Sequence, residues 1–146
     1  MKLSTKGRYG LRAMVDLVLN SKEENISLKS ISERQNISMN YLEHIISVLK
    51  KSGYVKSTRG AKGGYSLNKS PDDISVGDIL RSLEGSLNPV DCALVNENKQ
   101  CDDMDCCITK VVWKKISDSI NDVVNNISLQ DLVDGHNDIH QEIQRR

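Results

Sequence analysis

The pattern of apolar and polar positions predicts a mainly α-helical chain with one small β-hairpin. In five stretches, apolar residues recur at spacings of three and four, the repeat of one helix face. These stretches are residues 3–20, 28–35, 38–52, 74–83 and 108–127. Residues 54–67 instead read as strand, glycine-rich loop and strand.

Residues 27–64 are the centre of this pattern. Ser27 or Ser30 can cap a first short helix, which Asn36 ends because asparagine tolerates a left-handed backbone. Ser38 can cap a second helix, and Gly53 can stop it. The inward face of that second helix consists of Leu42, Ile45, Ile46 and Leu49. Two short helices followed by a hairpin predict a winged helix-turn-helix, whose second helix would enter the major groove of DNA.

The outward side chains of the second helix suit base edges. Asn40 can pair with adenine, Glu43 can accept from the cytosine amino group, and His44 can donate or accept. An ordinary solvated helix face is the alternative reading. The hairpin favours the DNA reading, because Arg59 and Lys62 at its tip suit phosphates or a narrow minor groove.

The charge is divided along the chain. Residues 1–70 contain 13 Lys and Arg against 5 Asp and Glu, a net charge of +8, and residues 71–146 contain 7 against 15, a net charge of −8. The basic half holds the helix-turn-helix, as binding to a phosphate backbone requires. On the first helix, Arg8 could contact phosphates or could serve solubility alone.

Membrane insertion and secretion are not expected. No apolar run reaches the length of a membrane span, and the N-terminus lacks a signal-peptide core, so we expect a cytoplasmic protein. The chain also offers no nucleotide-binding loop and no compact catalytic constellation. We therefore expect no catalytic residues and no enzyme.

All four cysteines lie in the polar residues 91–107, which lack a clear period. They are Cys92, Cys101, Cys106 and Cys107. In a cytoplasmic protein such a group favours metal ligands or redox thiols over structural disulfides. The spacing disfavours a zinc ribbon, whereas thiolates suit zinc or an iron–sulfur cluster. A mobile loop with incidental or redox-active thiols is the alternative.

The long helix predicted at residues 108–127 is apolar along one side, and a domain of this size cannot cover it. We expect it to pack against a copy of itself, and a two-fold dimer suits two DNA half-sites. A short terminal helix should follow. The predicted organisation is a DNA-binding domain at 1–85, a cysteine loop at 86–107, dimerisation and terminal helices at 108–134, and a flexible tail at 135–146.

Several motifs together resemble the IscR/CymR type of bacterial winged helix-turn-helix regulator, to about residue 133. The matching segments are residues 1–11, 31–38, 41–43, 55–64 and 76–80, and the run Cys107-Ile-Thr-Lys-Val-Val-Trp113. The resemblance implies a homodimeric DNA-binding transcription regulator. Because the cysteines match the IscR-like branch, it also implies sensing of iron–sulfur status and control of cluster-assembly genes.

The cofactor implied by this branch is an iron–sulfur cluster of the 2Fe–2S type, which a purified apo form would lack. Its ligands would be Cys92, Cys101 and Cys107. The family's fourth ligand is a histidine three residues beyond the last cysteine, where this chain has Lys110. Cys106 is the other candidate, so the fourth ligand is open.

The resemblance also carries over a DNA-contacting set, in which Glu43 corresponds to the cytosine-reading position. The expected contacts are Arg8, Ser38, Asn40, Tyr41, Glu43, His44, Arg59, Gly60, Lys62 and Gly63. The partner would be a double-stranded DNA operator. The alternative function is a CymR-like repressor of cysteine metabolism, which senses through a cysteine-biosynthesis enzyme or through thiol oxidation.

Overall fold

Six α-helices and a two-stranded antiparallel sheet make up residues 2–22, 24–91 and 107–145, the parts that the computed structural model describes. In chain order the elements are α1 (Thr5–Asn20), α2 (Leu28–Gln35), α3 (Met39–Lys51), β1 (Val55–Thr58), β2 (Gly64–Leu67), a 3-10 turn (Pro71–Asp73), α4 (Val76–Glu84), α5 (Lys110–Asn125) and α6 (Leu129–Arg145). This confirms the predicted fold class, mainly helical with a small β-wing.

Serine side chains begin the helices of the helix-turn-helix. The Ser27 hydroxyl accepts from the Ser30 amide at 3.2 Å, and the Ser38 hydroxyl accepts from the Tyr41 amide at 3.4 Å. Asn36 ends α2 with a left-handed φ of 53°. The two serine hydroxyls accept from backbone amides that have no partner within their helices. The left-handed backbone of Asn36 turns the chain out of α2. The turn between α2 and α3 is therefore fixed by two local residues, Asn36 and Ser38.

The core lies where α1, α3 and α4 meet. Its fully buried members include Met14, Leu17, Ile31, Leu42, Ile45, Leu49, Ile74, Ile79 and Leu129. One side of α3 supplies four buried residues to this core. That face fixes the rotation of α3, so the opposite face is turned to solvent.

A buried ion pair joins α1 to α2. The Asp16 carboxylate is 1% exposed and accepts from Arg34 Nη2 at 2.7 Å and from Arg34 Nε at 3.0 Å. Gln35 Nε2 donates to the same carboxylate at 2.9 Å. The hydrogen bond that Arg34 donates to Asp16 raises the pKa of Arg34 above its ordinary value. The buried carboxylate is thus matched by several donors, as a buried charge requires.

A second carboxylate joins α4 to the start of α1. Glu84 Oε1 accepts from the backbone amides of Ser4 and Gly7, each at 3.0 Å. Negative charge at a helix N-terminus is stabilising because the first amides there have no partners within the helix. The last residue of α4 is therefore fixed to the first turn of α1.

The terminal helix is longer than the sequence analysis expected. The predicted short helix ended by residue 134, whereas α6 continues to Arg145. Gly135 lies inside α6 and does not stop it, since a single glycine costs a helix only about 1 kcal/mol. None of the helices described combines the length and apolar character that crossing a bilayer requires.

Candidate nucleic-acid interface

The solvent-facing side of α3 carries the predicted base-reading side chains. Asn40, Glu43 and His44 are all exposed, as the sequence analysis expected. Met39, Ser47, Lys50 and Lys51 are exposed on the same helix. Since the core face of α3 is buried, these side chains form a continuous polar and basic surface with one apolar member at its start.

Ser38 and Tyr41 also have structural roles at the beginning of α3. The Ser38 hydroxyl caps the helix, and Tyr41 is half-buried. The Tyr41 ring meets the Tyr9 ring edge-on, with 5.9 Å between centroids, and the Arg12 guanidinium lies 5.4 Å from the centroid of Tyr9. Tyr41 therefore joins α3 to α1, and only part of its side chain faces solvent.

Two adjacent glycines shape the wing. A Cβ at Gly63 would lie 2.4 Å from the Thr58 carbonyl oxygen. Gly64 has a φ of 144°, and a Cβ there would lie 2.7 Å from the Ile26 carbonyl oxygen. Any side chain at either position would force backbone apart. The turn just before them in the chain exposes Arg59, Gly60, Ala61 and Lys62 to solvent, while Gly63 is half-buried.

The wing is held from two sides. Ile26 and Tyr65 exchange two backbone hydrogen bonds of 2.8 Å, and Asn25 Nδ2 donates to the Lys62 carbonyl at 3.0 Å. From α3, Lys50 Nζ donates to Ser57 Oγ at 2.6 Å. The sequence analysis missed these anchors, because Asn25 lies in an unremarkable polar connector. The wing is thereby joined to α3 through β1, and its tip is joined to the connector before α2.

Arg8 and Arg12, both on α1, differ in their contacts. Arg12 Nη2 donates to the Gln35 carbonyl at 2.6 Å, so this guanidinium serves the end of α2. Arg8 is exposed, and its Nη2 lies 3.5 Å from Thr5 Oγ1, at the limit of a hydrogen bond. Its guanidinium is therefore more available to a phosphate than that of Arg12.

Of the predicted cluster ligands, the described residues include Cys107 and the Lys110 position. Cys107 is exposed, its Sγ lies 3.1 Å from Thr109 Oγ1, and its carbonyl accepts from the Lys110 amide at 3.1 Å. Cys92, Cys101 and Cys106 lie outside the described residues. Within the described ranges, no three His, Cys, Asp or Glu side chains are grouped as a metal site. The ligand set therefore stays a prediction.

Within the described residues, several apolar side chains at the start of the long helix α5 and along one side of it are exposed. Val112 and Val123 are 50% and 58% exposed, and Ile108 is 87% exposed. The contact between α5 and α4 is partly polar. Arg81 Nη2 of α4 donates to Asn121 Oδ1 of α5 at 2.8 Å. The apolar side is consequently available to another surface.

Comparison with known proteins shows which family the chain belongs to. Residues 3–135 match the family model described as "Rrf2: Iron-dependent Transcriptional regulator". The chain belongs to the Rrf2 family. A relative named "HTH-type transcriptional regulator IscR", from Pectobacterium carotovorum, is 43% identical over 133 residues, which cover 91% of this chain and 79% of the relative.

Solved structures of similar proteins agree with the fold. The CymR structure described as that of the global cysteine regulator of B. subtilis has a TM-score of 0.75 and 42% identity, over 92% of this chain and 97% of that one. The IscR structure of T. potens has a TM-score of 0.74 and 46% identity, over 93% and 88%. The resemblance inferred from the motifs is confirmed. The chain is a DNA-binding transcription regulator and not an enzyme.

Proposed function

We propose that this Rrf2-family chain is a homodimer that reads a double-stranded DNA operator with α3 and the wing, and that an iron–sulfur cluster controls its affinity. The observation that carries the DNA-reading part is the connected surface of α3 and wing. In this surface Glu43 is exposed, and Lys50 of α3 donates to Ser57 of β1.

The proposed contacts divide into two kinds. Asn40, Glu43 and His44 face solvent on α3 and would read base edges in the major groove. Arg59 and Lys62 on the wing would bind phosphates or a narrow minor groove, with the backbone at Gly60 and Gly63 coming close to the duplex. Arg8, Ser38 and Tyr41 would contact the backbone from the edge of this surface.

Dimerisation would place two such surfaces on one operator. The uncovered apolar side of α5 supports it, because exposed apolar patches of this kind mark protein–protein contacts. A second copy of the chain is the occupant we propose. Two-fold symmetry would then match a palindromic operator.

Cys92, Cys101 and Cys107 would hold a 2Fe–2S cluster. Cys107 suits this role because it is exposed near the N-terminus of α5, where the helix dipole favours a thiolate. When bound, the cluster supplies one-electron chemistry and sensitivity to iron and oxidants. Lys110 is the first residue of α5, and its amide is bonded to the Cys107 carbonyl, so a ligand at position 110 would lie one turn from Cys107.

The test is purification without oxygen, followed by a visible spectrum, iron and sulfide analysis, and operator titration before and after cluster removal. We expect the purified protein to show visible absorption from the cluster. Cys107→Ala should abolish this absorption, and Lys110→His should increase it. A coupling of ~1–3 kcal/mol, or about 5- to 150-fold in operator affinity, would suffice for a switch. An anaerobic preparation without iron would contradict the cluster, and equal affinity in both states would contradict the switch.

The second candidate is a repressor of cysteine metabolism that senses through a cysteine-biosynthesis enzyme or thiol oxidation. A lysine where the cluster branch has a histidine favours it, and the 42% identity to the B. subtilis cysteine regulator is comparable with the 46% identity to T. potens IscR. Capture of that enzyme by the purified protein, with no chromophore, would support this function over the first.

A further inference from the structure

Met39 is a large apolar side chain that the fold does not bury. It is the first residue of α3 and is 45% exposed, beside the polar side chains of the DNA-facing surface. We propose that Met39 contacts the C5 methyl group of a thymine in the operator and so sets specificity at that base pair. This inference rests on the proposed DNA-reading function.

The fold does not require an apolar side chain at position 39. Helix starts are often closed by an apolar contact between the residue before the cap and the fourth helical residue. Here those positions are Ile37 and Leu42, and both are buried, at 3% and 0% exposure. Met39 lies outside the core, so its side chain is accessible to another molecule at the surface of α3.

Its place on α3 indicates which base it meets. Met39 precedes Glu43 by four residues, so the two side chains lie on the same side of α3, one turn apart. One helical turn rises about 5.4 Å, and successive base pairs are about 3.4 Å apart. The methyl group that Met39 contacts should therefore lie within about two base pairs of the base that Glu43 reads.

The chemistry of the major groove supplies the ligand. Among the four bases, thymine alone presents a methyl group there, and apolar side chains are its usual contacts. Methionine is unbranched and polarizable, so it can adapt to such a group without backbone movement. An apolar side chain next to Asn40 and one turn before Glu43 therefore favours thymine over cytosine at one position.

The experiment removes the methyl group and nothing else. A duplex selected by the purified protein from a random library is remade with deoxyuridine replacing each thymine in turn, in both half-sites together. We expect one position at which the wild-type protein loses about fourfold affinity per half-site, about fifteenfold for the operator, as the loss of one buried methyl group predicts. At that position, replacing thymine by deoxyuridine should lower the operator affinity of Met39→Ala by less than about twofold. The affinity of Met39→Leu should fall by nearly as much as that of the wild type.

Ile143→Ala is the matched control, because Ile143 is 64% exposed on α6, in a different element from α3. It should respond to deoxyuridine as the wild type does. A Met39→Ala protein that loses as much as the wild type at every position would overturn the proposal, as would a wild type indifferent to every methyl group. A protein that selects no duplex at all would instead overturn the DNA-reading function on which the proposal rests.

Discussion

Replacing Val112 and Val123 by aspartate should convert the proposed dimer into monomers. The two valines lie eleven residues apart on α5, which is close to three helical turns, so they share one side. They are 50% and 58% exposed in the single chain. Full burial of a valine contributes ~1.5–3 kcal/mol, so covering the exposed half contributes about 1 kcal/mol.

A two-fold dimer contains four of these side chains, so their loss weakens association by about 4 kcal/mol. At about 1.4 kcal/mol per tenfold, the dimer Kd should rise by a factor of roughly a thousand. The carboxylates add to this, because an unpaired charge buried in an interface costs several kcal/mol. The combined change should therefore leave monomers at micromolar concentration.

Analytical ultracentrifugation over a range of concentrations measures the effect, and titration of duplexes with one and two half-sites measures its consequence. Asn137→Asp adds one negative charge, against two in the double variant, at an exposed position on α6 and should leave the proposed dimer intact. Val112→Ala with Val123→Ala should give an intermediate Kd. A double aspartate variant that stays dimeric would refute the assignment of this face to the interface.

Three further changes test other parts of the structure. Gly64→Ala should destabilise the wing by ~2 kcal/mol or more and weaken operator binding, whereas Gly85→Ala, also at positive φ but with nothing within 4 Å, should cost less in chemical denaturation. Glu43→Ala should lose ~1–3 kcal/mol of discrimination at one base pair, measured with single-base operator variants, and leave the salt dependence unchanged. Arg34→Ala should lower the unfolding free energy more than Asp16→Ala. The first change leaves a carboxylate that is 1% exposed without its charged partner, whereas the second leaves an arginine side chain that is 37% exposed and can turn to water. Equal losses of unfolding free energy would contradict this.

Features determined by neighbouring residues were predicted well. The cap at Ser38, the left-handed Asn36 and the buried face of α3 each depend on a few nearby side chains, and all are observed. The terminal helix was predicted too short, because residues 135–146 are mostly polar and were expected to form a flexible tail. A local sequence pattern shows which backbone conformations a segment can adopt. Which of them it does adopt depends also on the rest of the helix.

Features that join distant residues were not predicted. Asn25 and the Lys62 carbonyl are 37 residues apart, and Ser4 and Glu84 are 80 apart. A hydrogen bond of this kind needs one polar side chain and one backbone group, so no pattern along the chain distinguishes it from a solvated residue. The candidate DNA surface could be named from sequence, but the contacts that position it required the fold.

The Lys50–Ser57 hydrogen bond has a consequence for how an operator is chosen. Because it helps to join the wing to α3, the proposed contacts of these two elements should keep a set spacing, which an insertion between the two contacted sites on the duplex would change. Each added base pair turns one site by about 34° around the DNA axis, since B-DNA has about 10.5 base pairs per turn. Insertions of one or two base pairs should then be rejected through rotational phasing, even where every base is correct.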